Sequence, residues 1–160
     1  MTFRVYYDPF LWMNVTTYSQ RFRLDEKMIL STIRCSLVML GNAAFTNMRA
    51  RLFAERTFPG GVSTRGVAIA NSTPREKAEF TDIGNGYYDI AFNFPLEVWL
   101  SNKSNYYVAI LADDYTYSDG AHVGWVRDWP DATYDEDLVS LNPARAPYRM
   151  HIAGKRFFGI

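Results

Sequence analysis

A single cysteine, Cys35, is present. An intrachain disulfide and a cysteine-based zinc site are therefore both excluded. Histidine is nearly as scarce: His122 and His151 lie far apart in the chain and make no metal-binding pattern. The sequence contains no GxxxxGK[ST], no GxSxG and no HExxH, so the phosphate loop, the nucleophile elbow and the zinc-protease helix are missing. Neither charge is in excess, since Lys+Arg and Asp+Glu both number 17. A chain without a basic field is not expected to bind nucleic acid. A net charge of +0 also does little to keep copies apart. No apolar run is long enough to span a membrane, and a membrane partner is not expected. The start, Met1-Thr-Phe-Arg-Val-Tyr-Tyr-Asp8, alternates like a strand, where a signal peptide would have a charged start and an apolar core. Without such a signal, the sequons Asn14-Val-Thr16, Asn71-Ser-Thr73 and Asn102-Lys-Ser104 read as chance matches.

What is abundant is apolar and aromatic. Hydrophobic residues make up 48% and aromatic residues 16% of 160 positions, enough for one domain with a core of its own. Large planar side chains favour strands. Phe22 and Leu24 share one face of Ser19–Leu24. In Met28–Leu40 the residues Ile29, Ile33, Cys35, Leu37 and Met39 share odd positions, which predicts a long strand bent by a bulge near Leu30-Ser31. A helix over Asp25–Leu37 is the alternative, because Asp25-Glu26-Lys27 suits a first helical turn. Cys35, inside this apolar run, reads as a buried small hydrophobe.

Met48–Ala54 alternates arginine with apolar residues, and Phe58-Pro-Gly-Gly61 is a turn. Gly66–Ala70 is a short strand, and Lys77–Thr81 reads as a further one. Asp82–Gly86 reads as a turn. Tyr87–Phe94 alternates until Pro95 ends it. Tyr106–Ala112 is apolar throughout, as a central strand covered on both faces would be. Ala121–Arg127 and Pro147–Ala153 supply two more. The expectation is an all-β chain, a jelly-roll-like antiparallel β-sandwich of about nine or ten strands with terminal arms. A doubly wound sheet is excluded because no βαβ alternation occurs. The domain is 1–160, with a core of about 17–129, an N-terminal arm 1–16 and a C-terminal loop or arm 130–160.

A particular succession carries a resemblance. Gln20-Arg-Phe22 leads into the long strand to Leu40. Arg49-Ala-Arg-Leu-Phe53 precedes Pro59-Gly-Gly61, and a short strand ends at Ala70-Asn-Ser72. Phe92-Asn-Phe-Pro-Leu96 and then Leu100 to Ile110 follow. Over roughly residues 19–129 this order resembles the jelly-roll modules of bacteriophage virion proteins (head decoration, tail or fibre) and of carbohydrate-binding appendages. The resemblance implies a non-enzymatic virion structural or decoration protein, made in the host cytoplasm and located in the virion. Its partners would be other virion proteins and itself as a homo-oligomer. The alternative is a carbohydrate-binding module of a tail, fibre or secreted appendage, with glycans as ligand.

Three groups of residues are candidates for contact. The aromatic residues Tyr115, Tyr117, Trp125, Trp129 and Tyr134 interleave with acids, the pairing of ring face and hydroxyl acceptor that a sugar site or a protein interface uses. The plainer reading is that Trp125 belongs to the core. Phe10, Trp12, Phe157 and Phe158 lie in the arms and would anchor assembly. Asp113, Asp114, Asp119, Asp128, Asp131, Asp135, Glu136 and Asp137 crowd one stretch that has Arg127 as its only basic residue. Of these, Asp113, Asp114 and Asp119 could wrap a structural Ca²⁺, which takes hard oxygen ligands. A solvated acidic loop or docking against a basic partner is the simpler reading, and no other cofactor is expected. A glycosidase would need two carboxylates at a defined separation. Nothing in the sequence fixes one for Asp113 and Asp128, so no catalytic residue is assigned.

Overall fold

A computed structural model of the chain describes residues 5–6, 19–24, 26–61, 63–84, 86–115, 120–125, 127–128, 138–140 and 150–156. In chain order the strands are β1 (Val5–Tyr6), β2 (Gln20–Arg23), β3 (Met28–Leu40), β4 (Met48–Thr57) and β5 (Ser63–Asn71). They continue with β6 (Thr81–Gly84), β7 (Tyr87–Leu100), β8 (Asn105–Ala112), β9 (His122–Trp125), β10 (Arg127–Asp128), β11 (Leu138–Ser140) and β12 (Met150–Arg156). No α-helix occurs among the described residues, and a single 3₁₀ turn covers Lys77–Glu79.

Ten of the strands form two five-stranded sheets, and β1 and β10 pair antiparallel as a separate two-stranded one. The first runs β11-β2-β8-β4-β5. The second runs β12-β3-β7-β6, with β9 pairing the end of β3. All the pairings are antiparallel. The order has a simple origin. β4 pairs with β5, β3 with β7 and β2 with β8. These nested pairs are those of one long hairpin with β4–β5 at its tip. Rolling that ribbon over sends β3 and β7 to one layer and β2, β8, β4 and β5 to the other, and β8 then also pairs with β4. This is the jelly-roll route, and the chain is an all-β sandwich.

Side-chain alternation explains why the two sheets meet. Phe22, Ile33, Leu37, Met48, Leu52, Phe92, Val108 and Val123 are buried in one cluster between the layers. β8 has no polar face because both its sides are covered. Tyr106, Val108, Ile110 and Ala112 belong to the main core, while Tyr107, Ala109 and Leu111 join Phe53 in a second cluster on the outer face.

The expected bulge in β3 is real: pairing with β7 and with β12 shifts across Ser31. Its consequence differs from simple odd-position patterning. Leu30 and Met28 lie on the core side, together with Ile33, Cys35, Leu37 and Met39, so Ile29 falls on the opposite face. The alternative helix over Asp25–Leu37 is replaced by strand, because β-branched and apolar residues here find a partner on both edges.

Four local expectations change. Pro95 does not end β7. The strand runs to Leu100, but its pairing jumps from Asn93 opposite Thr32 to Val98 opposite Leu30, so Phe94, Pro95, Leu96 and Glu97 stand against Ser31 alone. Proline is tolerated there because a bulged stretch has no ladder bond to lose. Lys77–Glu79 forms the 3₁₀ turn instead of a strand, held by the Glu76 and Glu79 side chains in a capping box. The range expected as a turn contains β6, which pairs with Asp89, Tyr88 and Tyr87. The range expected as a C-terminal arm also contributes to the sandwich, since β11 pairs with β2 and β12 with most of β3.

Candidate functional site

Of the expected aromatic contact residues, Trp125 and Tyr115 are described, and both serve the packing of the sandwich. Trp125 is 2% exposed and belongs to the core, which corrects its expectation as a contact residue: a ring enclosed between sheets has no face for a ligand. Tyr115 is half-buried against that core, and its hydroxyl accepts a hydrogen bond from the Val123 N–H at 2.9 Å. It therefore fastens β9. Tyr117, Trp129, Tyr134, Phe10, Trp12, Phe157, Phe158 and Asp119 lie outside the described residues.

Asp113 and Asp114 are engaged within the chain. The Arg49 guanidinium donates to Asp113 Oδ2. Asp114, in the left-handed region at φ 57°, accepts from Thr46 Oγ1 at 2.7 Å. The Asp113 N–H also donates to the Asn47 carbonyl at 2.8 Å. These carboxylates tie the end of β8 to the start of β4. Among the described residues no group of three or more His, Cys, Asp or Glu side chains could hold a metal ion.

The arginines of β4, β5 and the stretch that follows act largely as fasteners. Arg51 Nε donates to Asn71 Oδ1 at 2.7 Å, joining β4 to β5. The Arg65 guanidinium lies 4.6 Å from the Phe53 ring centroid, a cation–π distance. Its pKa is lowered, first by burial and then by neighbouring Arg51. Tyr107 lies in the same outer cluster. Burial raises its pKa, against the lowering effect of Arg21. Arg75 Nη1 reaches the Ala91 carbonyl at 2.5 Å, and Lys77 Nζ reaches that of Ala43 at 3.1 Å. The arginine stems cover apolar surface while their heads find acceptors.

One surface was not foreseen. The stretch after β5 stitches the layers together: the Thr73 N–H donates to the Asn93 carbonyl at 2.8 Å, and Arg75 and Met48 exchange backbone bonds. Beyond that stitch the flank opens. β5 is the last strand of its sheet, and the bulged part of β7 faces it. Between them lies a groove of about 320 Å³ lined by Ile69, Asn71, Phe94, Leu96, Glu97 and Trp99, among others. Several of its apolar residues stand in solvent: Leu96 is 78% exposed, Trp99 53% and Ile69 44%, and Val67, two residues before Ile69 on β5, is 72% exposed. Scattered exposed apolar residues are ordinary, but a contiguous group marks an interaction surface. Sequence spacing gave no hint of it, because Val67–Asn71 and Phe94–Trp99 meet only through the rolled topology.

No family model matches the chain, and no curated protein or solved structure matches it either. The open flank is thus read from its own geometry.

Proposed function

We propose that this chain is a non-enzymatic structural module that assembles through protein–protein contacts, in the virion setting that its jelly-roll likeness implies. One observation carries the reading: the exposed apolar side chains Ile69, Leu96 and Trp99 that line one groove at the open edge of the sandwich, with exposed Val67 two residues along β5. Burying a side chain of that size contributes about 1.5–3 kcal/mol, so a partner covering four of them gains a useful share of its affinity there. A net charge of +0 leaves little long-range repulsion between copies.

Light-scattering mass tests this. The wild-type chain is expected to form a defined oligomer, and Leu96→Asp or Ile69→Asp should return it to a folded monomer. A wild-type chain that stays monomeric at high concentration removes self-assembly. The virion setting is tested by mass spectrometry of purified particles, and absence of the chain from them removes it.

A second reading, carbohydrate binding, has one observation in its favour. The exposed Trp99 shares the groove with Glu97 and Asn71, a stacking ring beside hydroxyl acceptors. On that reading Trp99→Ala abolishes glycan-array signal and leaves the oligomer intact.

A further inference from the structure

We infer that the partner of the open flank is a second copy of this chain, joined antiparallel along β5 about a two-fold axis at Ala68. The inference rests on the assembly reading above and adds its partner and geometry.

The edge comes first. β5 closes its sheet, and among the described residues no strand pairs with its outer side. An edge strand offers a row of backbone donors and acceptors to any extended segment, and proteins protect such edges with charge, proline, bulges or cover. Gly66-Val-Ala-Ile-Ala70 has neither charge nor proline. Val67, Ala68 and Ile69 are exposed, so none of the described residues covers this stretch. Register shifts against β4 put bulges on either side of Ala68, at Ile69 and within Gly66–Val67, and a two-fold axis at Ala68 sets each of these bulges opposite the other.

Self-complementarity selects the occupant. An antiparallel pair of identical strands has one residue on the axis, and its neighbours then meet in reciprocal pairs. Placing Ala68 on the axis sets Val67 against Ile69 of the second copy, Gly66 against Ala70, and Arg65 against Asn71. The two exposed β-branched side chains cover each other, a favourable cross-strand pair. The smallest side chain occupies the crowded centre. Arg65 meets a neutral amide, and Asn71 already serves as an arginine acceptor within the chain, for Arg51 at 2.7 Å. No like charges face one another. The two first sheets become one continuous sheet across the axis, with both Leu96–Trp99 ledges beside the joint.

The test uses single-cysteine variants of the full chain. Cys35 is buried and does not compete for oxidation. Directly opposed residues have Cα atoms about 4.5–5.5 Å apart, within the range a disulfide spans. Ala68→Cys is therefore expected to give a disulfide-linked dimer under mild oxidation. Asn71→Cys should not, because its two copies would lie about 20 Å apart along the strands at about 3.4 Å per residue. Ile69→Lys, which leaves the core untouched, should lower the light-scattering mass from two chains to one. Equal cross-linking at 68 and 71, or none at either in a chain that remains oligomeric, overturns this pairing and leaves the assembly reading standing. A wild-type chain that is monomeric at every concentration overturns both.

Discussion

Single residues show how burial decides chemistry in this molecule. Cys35 is the chain's single thiol, and it is enclosed in the core. Burial, assisted by Asp89, raises its thiol well above the usual value of 9.0. The folded chain therefore holds the neutral thiol, while the unfolded chain can ionise it. That contribution to stability is fully present below about pH 9 and is lost as pH rises toward the raised folded value. Comparing urea midpoints of the wild type and Cys35→Ala at pH 8 and pH 10 isolates it: the wild type should lose more on going up, by at most about 1.4 kcal/mol per pH unit. Equal losses in both proteins would count against burial of the thiol. Backbone conformation sets a second case. Gly41 has φ +62°, and a Cβ there would lie 1.9 Å from the Gly120 carbonyl oxygen, whereas Gly60 at φ +91° faces open space. Both alanine variants meet the left-handed penalty of about 1 kcal/mol. Gly41→Ala should lose clearly more than Gly60→Ala in denaturation midpoint, because backbone must shift to admit it.

At the scale of elements, stability depends on stitches between strands as much as on strand pairing. Ser72 follows β5, its N–H donates to the Ala50 carbonyl, and its Oγ accepts from the buried Ala50 N–H at 2.9 Å. Ser72→Ala leaves that donor without an acceptor and should cost about 1–3 kcal/mol. Its urea slope should not change, because no surface is newly exposed. Strand content was legible where alternation was strong. β3 with its bulge at Ser31 and the arginine-alternating β4 follow from period-2 patterning, and the doubly covered β8 from an unbroken apolar run. The failures share a cause. Pro95 reads as a stop in isolation, yet the strand passes through it because the neighbouring Ser31 bulge frees that stretch from the ladder. Asp82 and Gly84 read as a turn, yet they pair with Tyr88 and Tyr87 of β7. In each case the deciding partner lies elsewhere in the chain, where local propensity has no view of it.

At the scale of the whole molecule, the described residues of the aromatic and acidic stretch are engaged within the chain: Trp125 lies in the core, the Tyr115 hydroxyl holds Val123, and Asp113 pairs with Arg49. The surface that stands out is made by topology: the tip hairpin β4–β5 ends one sheet beside the bulge of β7 in the other. Its character predicts how assembly responds to conditions. An interface held by Val67, Ile69 and Leu96 is apolar, so salt should leave it intact or strengthen it. Raising ionic strength from about 0.1 to about 1 M shortens the Debye length from about 10 to about 3 Å, which would weaken a contact between arginines and the acidic stretch. Cooling acts oppositely on the two, because apolar association weakens toward low temperature. The oligomer mass should therefore hold through the salt series and shift toward monomer in the cold. Dissociation by salt at constant temperature would instead move the contact to the charged surfaces, and the Ile69→Asp variant would then leave the mass unchanged.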